Sequence, residues 1–204
     1  MAKPAPDLAV EIRPYERDDQ PHVERIVTDG LAELGFARDP VLDADLGDPG
    51  QAYLAVWVAT LRSGEIVGCV AVRAYAGSDQ AGDEQSGGHE QPGGHEQPGG
   101  EEQPGGEERA AELKRMFLRP PYRRLGLGSR LLEAAVSWAT EAGFDWLRLD
   151  TGSTMVSAQH FYEANGFERC GSRVEAGQGE ARCEVLYRRR LRAAYNRERG
   201  GGAH

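Results

Sequence analysis

The sequence predicts a single domain of the α/β (α+β) class, with about seven strands and three main helices. Its 204 residues are typical of one domain. Seven apolar segments have the length and composition of strands, and three longer segments carry apolar residues at helical spacing. The two kinds of segment alternate through much of the chain, which favours a central sheet covered by helices.

The predicted strands are apolar or alternating segments bounded by turn residues. They are residues 8–14, 52–60, 65–75, 110–118, 146–150, 167–174 and 182–191. Ser63 and Gly64 link the second and third strands as a hairpin. The last two strands are expected to pair with each other.

The predicted helices follow from apolar stripes with three- and four-residue spacing. They cover residues 19–35, 127–142 and 153–165, and a short, broken helix is expected within residues 37–50. Asp18 or Asp19 is expected to cap the first helix, and Ser153 or Thr154 the last. Gly166 is expected directly after the last helix.

A repeated hexad interrupts the domain. Residues 81–110 read AGDEQS, GGHEQP, GGHEQP, GGEEQP and GGEERA, with almost no apolar side chain. Such a segment cannot form a core, so residues 77–108 are predicted to be a disordered insertion between the third and fourth strands. It could tether a partner or modulate substrate access, but we favour repeat expansion in a tolerant loop. The domain then spans residues 8–192, with flexible ends at 1–7 and 193–204.

Composition excludes several kinds of partner. Of 33 acidic and 24 basic residues, the hexad segment holds eight acidic ones and one basic one, so most of the net charge of −9 comes from it. The nearly neutral remainder predicts no nucleic-acid partner. No apolar stretch approaches the ~20 residues that span a bilayer, so no membrane role is expected.

The cysteines and the N-terminus indicate a reducing compartment. The three cysteines form no Cys-x-x-Cys pair, and His89 and His95 of the repeat have no cysteines beside them, so no metal site is expected. A disulfide between Cys170 and Cys183 could form across the last hairpin but is not favoured. The first residues lack the apolar run of a signal peptide, and we expect a cytoplasmic protein.

Residues 123–128, Arg-Arg-Leu-Gly-Leu-Gly, predict an anion-binding turn. They lie between a predicted strand and a predicted helix, and the first amides of a helix have no internal partners. Gly126 and Gly128 remove side chains that would keep a phosphate from these amides. Arg123 and Arg124 add positive charge. The expected ligand is a phosphate or pyrophosphate.

Spacing distinguishes this turn from other phosphate-binding loops. It lacks the lysine of the Walker loop, and Leu131 stands at the third glycine of the dinucleotide pattern Gly-x-Gly-x-x-Gly. The remaining pattern, Arg-x-x-Gly-x-Gly, resembles the acetyl-coenzyme A loop of the GCN5-related N-acetyltransferase (GNAT) family. Residues 111–118 look like the fourth strand of that family, and FYEANGF at residues 161–167 is similar to its LYEKLGF segment.

The resemblance implies the GNAT fold, a central mixed and mostly antiparallel twisted sheet of about seven strands flanked by helices. It also implies acetyl-coenzyme A as cosubstrate and no metal. Family members hold the cofactor along the end of the fourth strand, which also supplies the oxyanion donor, and at the loop. The cofactor-binding residues carried over are Met116, Phe117, Leu118, Arg123, Arg124, Leu125, Gly126, Leu127, Gly128, Ser129 and Ser157.

The resemblance also implies two catalytic side chains. Tyr162 matches the tyrosine that the family places near the sulfur of coenzyme A, where a phenol can protonate the leaving thiolate. Its alternative role is packing against Phe161. Glu112 matches the base glutamate of histone-acetylating members and could take the amine proton through a water. Alternatively, Glu112 pairs with Lys114 on the same face of the strand, which would weaken it as a base.

The implied activity is transfer of an acetyl group from acetyl-coenzyme A to a primary amine, by direct attack in a ternary complex. We weakly prefer a small-molecule amine as acceptor. The alternatives are a protein or peptide acetyltransferase, and a catalytically weak sensor that binds acyl-coenzyme A. A homodimer is compatible with the resemblance by analogy alone.

Overall fold

The computed structural model describes residues 9–76, 108–175 and 182–191. Within them lie seven strands: β1 (Val10–Pro14), β2 (Ala55–Leu61), β3 (Ile66–Ala74), β4 (Ala110–Leu118), β5 (Trp146–Gly152), β6 (Glu168–Glu175) and β7 (Arg182–Arg190). The α-helices are α1 (Gln20–Glu33), α2 (Pro49–Ala52), α3 (Leu127–Glu141) and α4 (Val156–Ala164). The predicted flexible ends and the predicted insertion lie outside the described residues, apart from Glu108.

The seven strands form one mixed sheet in the order β1-β2-β3-β4-β5-β7-β6. Among the described strands, the β4–β5 pair is parallel and every other neighbouring pair is antiparallel. The predicted fold class, a mixed and mostly antiparallel sheet of seven strands flanked by helices, is confirmed. The one parallel pair lies in the middle of the sheet.

Helices pack on both faces of this sheet. The buried residues of the α3 stripe, on one face, are Leu127, Leu131, Leu132, Ala135 and Ala139. Phe161 and Tyr162 of α4 pack against the same apolar cluster. On the other face, α1 packs through Val23, Ile26 and Val27 against β3 and β4. No helix in the described part of the chain is long and apolar enough to cross a lipid bilayer.

Both predicted helix caps differ from the structure. Asp19 occupies the N-cap position of α1, but its carboxylate binds the Arg13 guanidinium at 2.7 and 2.8 Å instead of capping the helix. The last helix begins later than predicted, because β5 runs to Gly152 and a turn follows it. Met155 therefore holds the N-cap position, and neither Ser153 nor Thr154 caps α4.

Strand boundaries and register decide two further expectations, the start of the second strand and the pairing of Cys170 with Cys183. The strand predicted from residue 52 begins at Ala55, because the short helix α2 comes first. This helix and a 3-10 turn at Ala44–Gly47 are the broken helix expected in this region. In the last hairpin, Cys183 pairs with Val174 and not with Cys170, and all three cysteines are free thiols.

Gly30 of α1 is a point of close packing that predicts an effect on stability. A Cβ at this position would overlap the ring of Phe117. We expect Gly30→Ala to lower the free energy of unfolding by about 1–2 kcal/mol, because overpacking outweighs the gain in helix propensity. Urea unfolding followed by circular dichroism measures the change. Gly47→Ala is the control, since a Cβ there would have no neighbour within 4 Å; equal losses in both variants would contradict this account.

Candidate active site

The central strands β4 and β5 separate part of the way along the sheet. They pair at three positions, the last of which joins Glu112 and Arg148. Beyond it, β4 continues along β3 to Leu118, and β5 continues along β7 to Gly152. Over the described residues, the two facing edges then have no partner strand. Their backbone N–H and C=O groups are therefore available to an extended ligand.

A β-bulge in β4 determines which side chains face this gap. The register with β3 shifts between Cys69 and Ala71, so that Arg115 and Met116 together lie opposite one β3 residue. Arg115 has a φ of +51°, a left-handed conformation that is costly for a residue with a side chain. As a result, Met116 packs against the same cluster as Leu113, which strict alternation along a strand would not allow.

Arg115 connects the bulge to the segment between α1 and β2. Its guanidinium binds Asp43 at 2.8 Å and Asp45 at 2.7 and 2.9 Å, and the Tyr53 hydroxyl donates to Asp45 at 2.5 Å. Burial acts to raise the pKa of Asp45, but the hydrogen bonds from Arg115 and Tyr53 outweigh burial and hold this pKa below its ordinary value. These contacts offset the backbone strain at Arg115 and hold the segment beside the gap.

The predicted anion turn leads into α3. Gly126 holds the N-cap position with a φ of +78°, a region that favours glycine. The Arg130 N–H donates to the Gly126 carbonyl at 3.2 Å, which closes the first turn of the helix. The amides of Leu127, Gly128 and Ser129 precede this bond, so they have no intrahelical partner and point out of the positive end of the helix.

The two arginines of this turn have different surroundings. Arg123 donates from Nε to the Leu118 carbonyl at 2.8 Å, and its Nη2 lies 2.7 Å from a carboxylate oxygen of Glu33. This side chain therefore ties the turn to β4 and to α1. Arg124 is exposed and has a φ of +60°. Arg124 is the better placed of the two to meet a phosphate from solvent.

Tyr162 lies against the end of β4 on the face that α3 and α4 cover. Its hydroxyl is 3.8 Å from the Met116 sulfur, and its ring packs edge-on against Phe161 and Phe167 with centroids 5.3 and 5.6 Å apart. Burial, and to a smaller extent the charge of Asp150, raises the pKa of Tyr162 above its ordinary value. The phenol therefore keeps its proton at neutral pH and can act as a donor.

Glu112 lies on the opposite face of the sheet from Tyr162, since it alternates with the core residue Leu113. Its carboxylate binds Arg73 at 2.6 Å and Lys114 at 2.9 Å. The expected alternative, an ion pair with Lys114, is thus the arrangement in the structure. Lys114 also crosses the gap to Asp150 on β5 at 2.5 Å.

The residues predicted to bind the cofactor or to act in catalysis fall into two groups. One side of the gap holds Met116, Leu118, the turn at residues 123–129, and Tyr162. Three residues lie apart from it. Glu112 is on the opposite face, the Phe117 side chain packs against α1, and Ser157 is exposed in the first turn of α4.

Sequence reasoning anticipated the pair of Glu112 with Lys114 but missed the other ion pairs that surround the gap. Arg115, Asp43 and Asp45 are distant in sequence, and nothing local links them. One signal was present: in β4 the charged residues Glu112 and Lys114 alternate with apolar ones, and Arg115 directly after Lys114 breaks this alternation, as a bulge does.

The chain resembles known proteins over most of its length. Residues 31–167 match a sequence profile described as "Acetyltransferase (GNAT) family". An uncharacterised N-acetyltransferase of Escherichia coli (strain K12), YjgM, is 31% identical over 183 residues, which cover 85% of this chain and 90% of that protein.

Solved structures show the same fold. A GNAT-family acetyltransferase from Staphylococcus aureus Mu50 has a TM-score of 0.65 and 22% identity, and the match covers 90% of this chain and 100% of that one. A chain of the NatC complex bound to Gag peptide and CoA has a TM-score of 0.63 and 13% identity, covering 90% of this chain and 99% of that one.

The family match and the N-acetyltransferase relatives identify an acyltransferase. The chain belongs to the GNAT family of N-acetyltransferases. Its family uses acetyl-coenzyme A as the acetyl donor.

The ion pairs of Arg115 with Asp43 and Asp45 predict a large loss of stability when the Arg115 side chain is replaced. We expect Arg115→Leu to lower the free energy of unfolding by about 3 kcal/mol, because Asp43 and Asp45 would keep their charges without a cationic partner in a partly buried site. Arg119 makes an exposed ion pair with Glu65 and provides a control. Arg119→Gln should cost less than about 1 kcal/mol. Urea unfolding measures the free energy of unfolding of both variants. Equal losses would show that the ion pairs of Arg115 do not stabilise the bulge.

Proposed function

We propose that the protein transfers an acetyl group from acetyl-coenzyme A to the primary amine of a small molecule, by direct attack in a ternary complex. One observation carries the proposal: the unpaired edge of β4, the free amides of α3 and the Tyr162 hydroxyl lie around the same gap. This arrangement supports the proposal, because a phosphate, an extended arm and a leaving sulfur would each meet a hydrogen-bond donor around one gap.

The residues present fit acetyl-coenzyme A. The first amides of α3 suit a pyrophosphate, since they point out of the positive end of a helix. Arg124 and Ser129 are exposed beside them. The β4 edge offers backbone groups to the amide-containing pantetheine arm, as an added strand would use them. The chemistry that this cosubstrate supplies is an activated acetyl group on a good leaving group.

Three tasks remain for the residues of this chain. A backbone N–H of the unpaired β4 edge stabilises the oxyanion that develops on the acetyl carbonyl during attack. The Tyr162 hydroxyl, which is protonated at neutral pH, donates its proton to the departing sulfur as the carbon–sulfur bond breaks. The gap itself holds the amine and the acetyl group in one geometry, so that attack is effectively unimolecular.

The proton of the attacking amine needs an acceptor. Glu112 is held by two cationic partners on the face opposite Tyr162, and both of its oxygens are engaged. Neither oxygen is therefore free to take up the amine proton. We therefore assign the proton to water, and we give Glu112 the role of holding Lys114. A cytoplasmic location and a homodimer stay predictions.

The phosphate site predicts opposite effects of one substitution on binding and stability. In Ser129→Asp, a carboxylate enters the first turn of α3, where it would repel a phosphate but interact favourably with the helix dipole. We expect the dissociation constant for coenzyme A to rise about tenfold or more, with no loss of thermal stability. Calorimetric titration and a melting curve measure the two quantities.

A matched control uses another exposed serine of the same helix. Ser137→Asp adds the same charge in the second half of α3, away from its N-terminus. Its affinity for coenzyme A should stay within about twofold of the wild type, because dipole and charge effects fall off within the first turn. Unchanged binding by Ser129→Asp would refute the assignment of the phosphate site.

The acid role of Tyr162 predicts both a rate and a pH profile. Tyr162→Phe keeps the packed ring and removes the proton donor, so kcat should fall about 100-fold. The pKa of Tyr162 lies above its ordinary value of ~10. The loss should therefore be the same from about pH 6 to pH 9. Steady-state kinetics with a fixed amine measure it.

Tyr187 provides the control for this substitution, because its hydroxyl donates to Glu163 at 2.9 Å and its ring lies 6.5 Å from that of Tyr162. Tyr187→Phe should leave kcat within about threefold of the wild type. An equal loss in both variants would indicate a packing role for Tyr162.

A further inference from the structure

We propose that the acceptor is an amino carboxylate, a small molecule whose carboxylate lies close to its reacting amine, and that the exposed guanidinium of Arg173 binds this carboxylate. The inference rests on the proposed function and names a substrate class for the same site. It comes from a row of charges on the sheet face opposite Tyr162.

The row alternates in sign and crosses the gap between β4 and β5. In the order of their ion pairs, its members are Arg73, Glu112, Lys114, Asp150, Arg173 and Glu184. Each ion pair measures between 2.5 and 3.0 Å. The Lys114–Asp150 pair joins the two strands beyond their last backbone pairing, so the row lies directly over the gap.

The row is close to the groups proposed for chemistry. Asp150 alternates with the core residue Leu149, so its carboxylate lies on the face away from Tyr162. It is nevertheless linked to that side of the gap, because its partner Lys114 lies two residues before Met116, whose sulfur is 3.8 Å from the Tyr162 hydroxyl. Burial acts to raise the pKa of Asp150, but Lys114, with smaller contributions from Glu184 and Arg173, outweighs burial and holds that pKa below its ordinary value. Asp150 therefore stays charged and is a fixed anion at the site.

Exposure separates the two signs of charge. The side chains of Glu112 and Asp150 are 9% and 13% exposed, whereas those of Arg73 and Arg173 are 48% and 42% exposed. A ligand from solvent therefore meets guanidinium groups first and carboxylates deeper. Guanidinium binds a carboxylate in a planar, two-point geometry, so an anionic group on the acceptor suits the outer layer.

The less exposed carboxylates, Glu112 and Asp150, suit the positively charged amine of a zwitterionic acceptor. They attract the ammonium form of the acceptor amine toward the gap, where it must lose its proton before attack. A polyamine or a lysine-rich peptide has no carboxylate to pair with the outer guanidinium groups, so these groups would repel it. The alternating row thus discriminates against polycations and favours a molecule that carries both charges.

Acetyl transfer to matched acceptors tests the proposal. The panel contains the twenty protein amino acids, β-alanine and 4-aminobutyrate, each beside its carboxamide, together with spermidine and a lysine-rich peptide. We expect kcat/KM for the best amino carboxylate to exceed that of its carboxamide about tenfold or more. Arg173→Gln should raise KM about tenfold for the carboxylate and leave the carboxamide unchanged. Arg173→Lys should recover part of the loss.

Arg188 provides the matched control on the same sheet face. Its side chain is 41% exposed and pairs with Glu168, away from the row. Arg188→Gln should change neither KM. Equal losses for carboxylate and carboxamide in Arg173→Gln would overturn the inference, as would preferred turnover of carboxamides, spermidine or the peptide. In these cases acetyl transfer itself stands. If no acceptor is acetylated although coenzyme A binds, the proposed function fails and the inference fails with it.

Discussion

The site depends on the early end of the parallel pairing between β4 and β5. A sheet normally satisfies its backbone groups strand by strand, and a break in its middle leaves polar groups exposed at a cost. Here the break is stabilised on both sides, because β3 and β7 continue to pair with the separated strands. The fold thus keeps a backbone edge available inside the domain without leaving a strand unpaired on both sides.

The bulge at Arg115 gives this gap two chemically different sides. It shifts the alternation of β4 by one residue, so that Met116 and Leu118 join the apolar cluster around Tyr162 while Lys114 stays on the charged face. The side near α3 suits a long, partly apolar cosubstrate, and the charged side suits a polar acceptor. An open cavity of about 840 Å³ elsewhere, lined by Val136, Thr140 and Trp146 among others, contacts none of these groups.

Local sequence patterns predicted the elements but not their long-range charge contacts. Apolar periodicity predicted α3 and its buried stripe, and the Arg-x-x-Gly-x-Gly turn predicted the N-terminus of this helix. Both predictions succeed because each signal lies within a few neighbouring residues. The pairing of Arg115 with Asp43 and Asp45, and the crossing from Lys114 to Asp150, join segments far apart in the chain. The predicted capping residues were also wrong. Asp19 is bound by Arg13 instead of capping α1, and β5 extends over the expected start of α4. In both cases tertiary contacts override a local preference.

Amide hydrogen exchange with and without coenzyme A tests the central claim most directly, namely that the ligand lies along the unpaired edge of β4 and the first turn of α3. The account predicts that added protection concentrates at residues 114–118 and 127–129, with little change at Val136 and Trp146 beside the distant cavity. Protection at the cavity without any at β4 would contradict the claim. The gap would then be a structural feature of the sheet and not the site of acetyl transfer.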